Sequence, residues 1–177
     1  VVTLGGTPVY TFASANVGTG ISISTTGYTI SGANAANYTL TQPTLSGNIT
    51  AKTLTVTGTL VANKVYDGTT TASVTAGTLV GLVSADIANV TFTKAATFSS
   101  ANAGNAIAIV MNDSISGSAA SNYTLTQPTG ISANITPKAL TVSGTTIANK
   151  VYDGTTTATI TGGSLVGVVT GDTVTLN

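Results

Sequence analysis

Apolar and polar residues alternate with a period of two along most of the chain. In the segment 53–57, threonine alternates with leucine and valine, and the same pattern occurs at 89–93, 105–110, 122–127 and 131–136. β-Branched residues dominate these segments, and such residues fit a pleated surface that is buried on one side. No segment has apolar residues spaced as on one face of a helix. The pattern therefore predicts an all-β fold built from short strands.

Turn-forming pairs separate these segments, including Asp67-Gly68, Ala103-Gly104 and Asn112-Asp113. We expect about seven or eight strands in each stretch of about 86 residues, which matches a small antiparallel sandwich. Its core is predicted to contain the apolar half of each strand: Leu54, Val56, Val65, Tyr66, Val74, Leu79, Leu82, Ile87, Val90, Phe92, Phe98, Ile107, Ile109, Tyr123, Leu125 and Ile135.

The sequence repeats itself. The eleven residues ANKVYDGTTTA occur at 62–72 and again at 148–158, and KTLTVTG at 52–58 returns as KALTVSG at 138–144. Both pairs have an offset of about 86 residues. Self-similarity at a fixed period indicates a structural unit repeated along the chain.

The offset also sets the predicted domain boundaries. Residues 52–137 form one complete repeat, 1–51 the C-terminal part of a repeat and 138–177 the N-terminal part of the next. We expect the chain to be a segment of a longer array. The joints contain no flexible Gly/Ser linker, which favours stiff connections. The predicted architecture is a rod of tandem antiparallel immunoglobulin-like β-sandwiches. The alternative, a parallel β-solenoid, requires a coil period near 20 residues, and none is found.

The composition excludes several classes of function. The chain has five Lys and five Asp and no Arg, Glu, His, Cys or Trp. Most catalytic and metal-binding groups cannot be assembled from this set, so no enzyme activity is expected. A formal charge of zero gives no electrostatic basis for binding nucleic acid. The apolar run at 106–111 is far shorter than the roughly 20 residues of a membrane-spanning helix.

The longest exact repeat contains the candidate site. We interpret Lys64, Tyr66, Asp67 and Gly68 as a structural signature, and the same residues recur as Lys150, Tyr152, Asp153 and Gly154. Asp-Gly forms a tight turn in which glycine takes a positive φ. Lys64 and Asp67 are close enough in sequence to form an ion pair, and Tyr66 can anchor the turn at the rim of the core. A ligand site at the same residues is the alternative interpretation.

No metal or cofactor is expected. Calcium requires six to eight oxygen ligands, including several carboxylates. The aspartates of the complete repeat, Asp67, Asp86 and Asp113, are dispersed along the sequence. Asp86 corresponds to Asp172 in the next repeat, so one calcium site per repeat or per joint stays an alternative.

The surface is expected to carry almost no charge. Thr and Ser make up about a third of the residues, and only two or three Lys fall in each repeat. Sheet edges normally carry charged residues or proline that prevent pairing with another chain. We therefore hypothesise that lateral surfaces or edges tolerate contact with other copies of the chain.

The Tyr-Asp-Gly at 66–68 and 152–154, within K-V-Y-D-G-T-T-T, resembles the YDG family of tandem repeats. The joint pattern N-I-T-x-K-x-L-T-V is also similar to that family. The resemblance covers essentially the whole chain. It implies a very large secreted bacterial protein similar to filamentous-haemagglutinin-type adhesins, located at the cell surface, and it implies no catalytic residues.

The expected function is that of a structural stalk or spacer in an extracellular adhesin or matrix filament. Its expected partners are neighbouring repeats of the same chain, with lateral or end-to-end association as a further option. A host or matrix glycan is expected at a tip outside this segment. Two alternatives stay open: a self-assembling fibre or sheath subunit, and a repeat that itself binds glycans.

Overall fold

The computed structural model describes residues 1–177 and confirms the all-β class. Three turns of 3-10 helix, each of three residues, are the only helical segments: Ala35–Asn37, Ser84–Asp86 and Ala120–Asn122. No helix has the length and apolar character needed to cross a bilayer. The strands are β1 (Thr3–Phe12), β2 (Gly18–Ser31), β3 (Leu45–Ile49), β4 (Lys52–Val61), β5 (Lys64–Val65), β6 (Thr71–Ala72), β7 (Val74–Val80), β8 (Thr91–Thr93), β9 (Ala96–Phe98), β10 (Gly104–Met111), β11 (Ser114–Ser116), β12 (Tyr123–Thr126), β13 (Ser132–Thr136), β14 (Thr141–Ile147) and β15 (Ile160–Val166).

These strands form five sheets. The largest has the order β5-β13-β10-β9-β6, and two three-stranded sheets have the orders β1-β2-β3 and β12-β4-β7. Two-stranded sheets pair β8 with β11 and β14 with β15. Each of the five segments with period-two alternation contains a strand, as predicted. In β4, for example, Leu54 and Val56 are buried while the threonines between and beside them are exposed.

The chain divides into two compact units, neither of which is continuous in sequence. The first consists of Val1–Leu54, Gly81–Thr91 and Ile115–Thr126. Its main sheet is an antiparallel meander in which Thr3 pairs with Ser31 and Ile23 pairs with Leu45. The second consists of Thr55–Val80, Phe92–Ser114 and Gln127–Asn177.

The second unit contains the main hydrophobic core. Its fully packed members are Ala96, Phe98, Ile109, Met111, Ala133 and Ile135. Partly buried apolar side chains, including Tyr66, Val74 and Ile107, pack against them. The strands β9, β10 and β13 supply the buried residues, because they lie side by side in the five-stranded sheet.

Seven of the predicted core residues are confirmed as buried: Leu54, Val56, Val90, Phe98, Ile109, Tyr123 and Ile135. Seven more are partly buried: Tyr66, Val74, Leu79, Leu82, Phe92, Ile107 and Leu125. Two are wrong, since Val65 is 56% exposed and Ile87 is 65% exposed. Neighbouring residues of a strand point to opposite faces, so Val65 points outward once Lys64 and Tyr66 point inward. Ile87 follows the 3-10 turn that ends at Asp86 and lies on no strand.

Two expectations about the strands need correction. Residues 52–137 contain ten strands, β4 to β13, because two of them are only two residues long. The sheets are also not purely antiparallel. Strand β5 runs parallel to β13, with Lys64 opposite Ile135 and Val65 opposite Thr136. Asn63 stabilises this pair, because its side-chain Oδ1 accepts a hydrogen bond from the Asn134 N–H at 2.7 Å.

Ala106 is the one residue other than glycine with a positive φ, at 50°. Its N–H donates to Asn134 Oδ1 at 2.8 Å. The same arrangement occurs in the first unit, where the Gly20 N–H donates to Asn48 Oδ1 at 2.9 Å and φ is 63°. The pairing register shifts at both places, between Gly104 and Ile107 and between Gly18 and Ile21, so the same β-bulge is formed once with alanine and once with glycine.

Ala106→Gly should therefore raise the free energy of unfolding by about 1 kcal/mol, because glycine adopts a positive φ without the steric cost that alanine bears. Urea denaturation measures the change. Gly20→Ala is the matched control, with an expected loss of similar size. An Ala106→Gly protein no more stable than the wild type would contradict the reading of this bulge as strained.

Candidate functional site

The signature residues close a small turn around one carboxylate oxygen. Lys64 Nζ lies 2.7 Å from Asp67 Oδ1 and donates to the Thr69 carbonyl oxygen at 2.7 Å and to Thr69 Oγ1 at 3.0 Å. Asp67 Oδ1 also accepts hydrogen bonds from the Thr69 N–H at 2.9 Å and from its hydroxyl at 2.8 Å. Gly68 lies between them with φ at 78°. Lys64 and Asp67 thus form an ion pair across the Asp-Gly turn.

The second copy of the motif forms the same set of bonds. Lys150 Nζ lies 2.9 Å from Asp153 Oδ1, 2.8 Å from the Thr155 carbonyl oxygen and 3.0 Å from Thr155 Oγ1. Asp153 Oδ1 accepts from the Thr155 N–H at 3.0 Å and from its hydroxyl at 2.9 Å. Gly154 has a φ of 70°.

The surroundings of the two turns differ. Lys64 lies with Nζ 5.6 Å from the centre of the Phe98 ring, and Tyr66 packs against the core. In the second copy, Val151 is 88% exposed and Tyr152 is 93% exposed. The strands that cover the first turn, β9, β10 and β13, have no counterparts among residues 138–177. Since both turns keep the same bonds, the local sequence alone determines their geometry.

The closed turn affects the ionisation of its aspartate. The hydrogen bond from Lys64, followed by those from Thr69, lowers the pKa of Asp67 to about 2. The pKa of Asp153 is lowered by the equivalent bonds from Lys150 and Thr155. These contacts favour the ionised carboxylate over the acid.

The depressed pKa values predict acid sensitivity of the turns. A carboxylate whose pKa is lower in the folded state stabilises the fold above its unfolded pKa of about 3.8, and this contribution is lost as the pH falls through about 2. Thermal denaturation of the wild type between pH 5 and pH 1.5 should show this loss, and Asp67→Asn should weaken the pH dependence. An Asp67→Asn protein with an unchanged profile would contradict the assignment.

Tyr66 connects the first turn to the chain beyond Pro137. Its N–H donates to the Thr136 carbonyl oxygen at 2.8 Å, and its hydroxyl donates to Asp172 Oδ1 at 3.1 Å. This hydrogen bond, then desolvation and the negative charge of Asp172, raise the pKa of Tyr66 above its usual value of 10.0. Tyr66 and Asp172 both line a cleft of about 310 Å³ within the second unit. Its other lining residues are mainly small or apolar, among them Pro137, Leu140, Val168 and Val169.

A second cleft, of about 390 Å³, lies within the first unit near the other predicted joint. Asn122 connects two segments that line this cleft. Its Oδ1 accepts a hydrogen bond from the Val17 N–H at 2.9 Å, and its Nδ2 lies 3.1 Å from Asn16 Oδ1. Tyr123 donates to Asp86 Oδ2 at 2.6 Å and accepts from the Val83 N–H at 3.2 Å. The bond to Asp86 raises the pKa of Tyr123.

Sequence reasoning missed the environment of Asp113. This side chain is only 6% exposed, and its Oδ1 accepts from the Ala95 N–H at 3.0 Å. Gln127 clamps the backbone of Asp113, accepting from its N–H at 3.0 Å and donating to its carbonyl oxygen at 2.8 Å. Gln42 clamps Tyr28 in the same way. The repeated segment NYTLTQPT was the available signal, because both glutamines occupy the same place in it.

The three aspartates considered for calcium have separate roles. Asp67 binds Lys64, Asp86 binds Tyr123 and Asp113 binds backbone. No group of three or more acidic, histidine or cysteine side chains is placed to hold a metal ion.

Comparison with protein-family models matches the YDG domain at residues 1–45, 50–130 and 136–177. Neither the curated proteins nor the solved structures give a match. The matched segments cover most of the sequence and include both Tyr-Asp-Gly turns. The chain therefore belongs to the YDG domain family.

Proposed function

We propose that the chain is a structural spacer of an extracellular bacterial adhesin or matrix filament, built from tandem immunoglobulin-like sandwiches in a rod. The observation that carries the proposal is the exact reproduction of the Lys64 turn at Lys150, with the same five polar contacts. A chain that repeats one structural unit becomes longer without gaining a new functional site.

The strand pattern supports the sandwich arrangement. In β4 and β13 buried residues alternate with more exposed ones, as expected for sheets with one face in a core. The two strands that meet at the first predicted joint, β3 and β4, are separated by only Thr50 and Ala51. A connection this short favours a stiff joint over a flexible linker.

The family resemblance supports an extracellular location at the bacterial cell surface. Labelling intact producing cells with an antibody against this segment tests the location directly. Staining of intact cells supports the proposal, and staining only after the cells are permeabilised would exclude it.

Small-angle X-ray scattering tests the spacer role. A compact globule of 177 residues has a radius of gyration of about 16 Å. The proposal requires a clearly larger radius and a scattering profile typical of a rod. It also requires no signal on a glycan array, since the alternative glycan-binding repeat would give one. A radius near the globular value would contradict the spacer.

One observation favours a second candidate, a self-assembling fibre subunit. The chain carries only five lysines and five aspartates among its 177 residues. A surface with so few charges offers little electrostatic repulsion between copies of the chain. Sedimentation velocity at increasing concentration distinguishes the two candidates, because a fibre subunit forms larger species and a simple spacer does not.

A further inference from the structure

The Tyr-Asp-Gly turn at 66–68 makes contacts across the predicted joint as well as within its own loop. The Tyr66 hydroxyl donates to Asp172 at 3.1 Å. A Cβ placed on Gly68 would lie 3.0 Å from Val169 Cγ1. Both contacts reach the segment 169–172, which lies about 100 residues further along the chain.

The segment 169–172 forms a compact turn of its own. The Asp172 N–H donates to the Val169 carbonyl oxygen at 3.0 Å. The equivalent residues one repeat earlier form the same turn, with the Asp86 N–H donating to the Val83 carbonyl oxygen at 2.9 Å. A Val-x-x-Asp turn therefore recurs with the repeat and places an apolar and an acidic side chain next to each other.

We propose that the Tyr-Asp-Gly turn is the surface on which the following repeat docks, and that its partner is the Val-x-x-Asp turn of that repeat. This inference deepens the proposed spacer role, on which its biological meaning rests, because it gives the spacer a defined joint. The tyrosine hydroxyl binds the aspartate, and the absence of a side chain on the glycine admits the valine.

The neighbouring residues hold this surface in place. Tyr66 is fixed at its backbone by Thr136 and at its ring by the core. Lys64 braces the loop on the other side of Gly68 through Asp67 and Thr69. The docking surface is therefore rigid before the next repeat is added, which reduces the entropic cost of forming the joint.

The aspartate of the docking turn has two carboxylate oxygens, and each can accept a hydrogen bond from a different tyrosine. Asp172 uses Oδ1 to accept from Tyr66 of the preceding repeat, whereas Asp86 uses Oδ2 to accept from Tyr123 of its own repeat. Since Asp86 and Asp172 occupy the same place in the repeat, one carboxylate can bind both hydroxyls. Such a carboxylate connects the tyrosine of the preceding repeat with the tyrosine that begins the strand equivalent to β12 in its own repeat.

The second turn, 152–154, shows the same surface without a neighbour. Tyr152 is 93% exposed, and a Cβ on Gly154 would meet no atom within 4 Å. The two copies have the same internal bonds and similar glycine φ values, so substitutions at 152 and 154 are matched controls for those at 66 and 68.

Limited trypsin digestion tests the joint, because Lys138 directly follows Pro137 and is exposed. Cleavage after Lys138, read by mass spectrometry, should be about two- to tenfold faster in Tyr66→Phe and in Asp172→Ala, as expected for the loss of one hydrogen bond. Gly68→Ala should accelerate it as well. Tyr152→Phe, Gly154→Ala and Asp86→Ala should leave it at the wild-type rate.

Cleavage after Lys94 in the same digests monitors the fold of the core. If Tyr66→Phe accelerates this cut too, Asp172→Ala decides the test, because Asp172 lies outside the core cluster. An Asp172→Ala protein cleaved after Lys138 at the wild-type rate would overturn the proposed docking. The scattering and glycan experiments are independent of this result, so a failed joint and a failed spacer role can be told apart.

A spectroscopic readout accompanies the digestion. Asp172→Ala should lower the pKa of Tyr66 towards 10.0 in an absorbance titration, with the pKa of Tyr123 unchanged. Asp86→Ala should lower the pKa of Tyr123 and leave the pKa of Tyr66 unchanged. A Tyr66 titration insensitive to Asp172→Ala would also overturn the proposal.

Discussion

Replacing Phe98 by alanine is expected to lower the free energy of unfolding by about 3–5 kcal/mol. The ring is 2% exposed and lies among Ile109, Met111 and Ile135 in the main core. Its removal leaves a cavity that the surrounding strands cannot close, and it removes the aromatic face next to Lys64 Nζ. Because small domains have a total stability of about 5–15 kcal/mol, this single change brings the protein close to unfolding. Chemical denaturation followed by circular dichroism measures the loss.

Phe12→Ala is the matched control, since Phe12 occupies the same place in the preceding repeat and is 41% exposed. A partly exposed ring gives up less buried apolar area, so its loss should be clearly smaller. Equal losses at the two positions would show that the core does not lie where the structure places it.

The second large effect is expected at Gly117. Its φ is 113°, and an added Cβ would lie 2.2 Å from the Asn89 carbonyl oxygen. That oxygen is held in place, because it accepts a hydrogen bond from the Ala119 N–H at 3.2 Å. Gly117→Ala should therefore cost at least about 2 kcal/mol, from backbone strain together with the steric clash.

Gly130→Ala isolates the strain from the clash. Gly130 has a φ of 72°, and a Cβ there would meet no atom within 4 Å. Only the conformational cost, about 1–2 kcal/mol, is expected. The difference between the two losses in free energy of unfolding, measured from the melting curves, gives the steric contribution at Gly117. A Gly117→Ala protein as stable as Gly130→Ala would contradict the close packing of this turn.

The sequence predicts the strands well because the alternation that specifies each strand lies within the strand itself. Alternation of threonine with leucine and valine in β4 places Leu54 and Val56 in a core without reference to the rest of the chain. The same rule shows why Val65 was misassigned: Val65 and Tyr66 are adjacent, and a strand cannot bury both on one face. The buried alanines at 96 and 133 carried no signal, since alanine also occupies exposed strand positions, such as 106 and 108 on β10.

Contacts between distant segments were not predictable from the sequence. The parallel pairing of β5 with β13 depends on the Asn63 side chain reaching Asn134, some 70 residues away. The contact between Tyr66 and Asp172 spans more than 100 residues and joins the beginnings of two repeats. A repeat pattern shows that such residues recur, and it does not show which copy contacts which.

The turn itself was predictable in part. The spacing of Lys64 and Asp67 indicated an ion pair, and the Asp-Gly pair indicated a positive φ. The role of Thr69, which donates twice to the same carboxylate oxygen, was not foreseen. The copy at 153–155 establishes it as part of the motif, because Thr155 makes both bonds again.

We expect a stiff, defined joint to connect successive repeats through the Tyr-Asp-Gly turn. Because the chain has no cysteine, Thr78→Cys with Ser164→Cys places spin labels at equivalent exposed sites on the two sides of Pro137. Double electron–electron resonance then measures the distribution of distances between them. A stiff joint gives one narrow distance peak in the otherwise wild-type chain and a broad distribution when Asp172→Ala is added. A broad distribution in the wild-type background, unchanged by Asp172→Ala, would contradict a joint held by Tyr66 and Asp172.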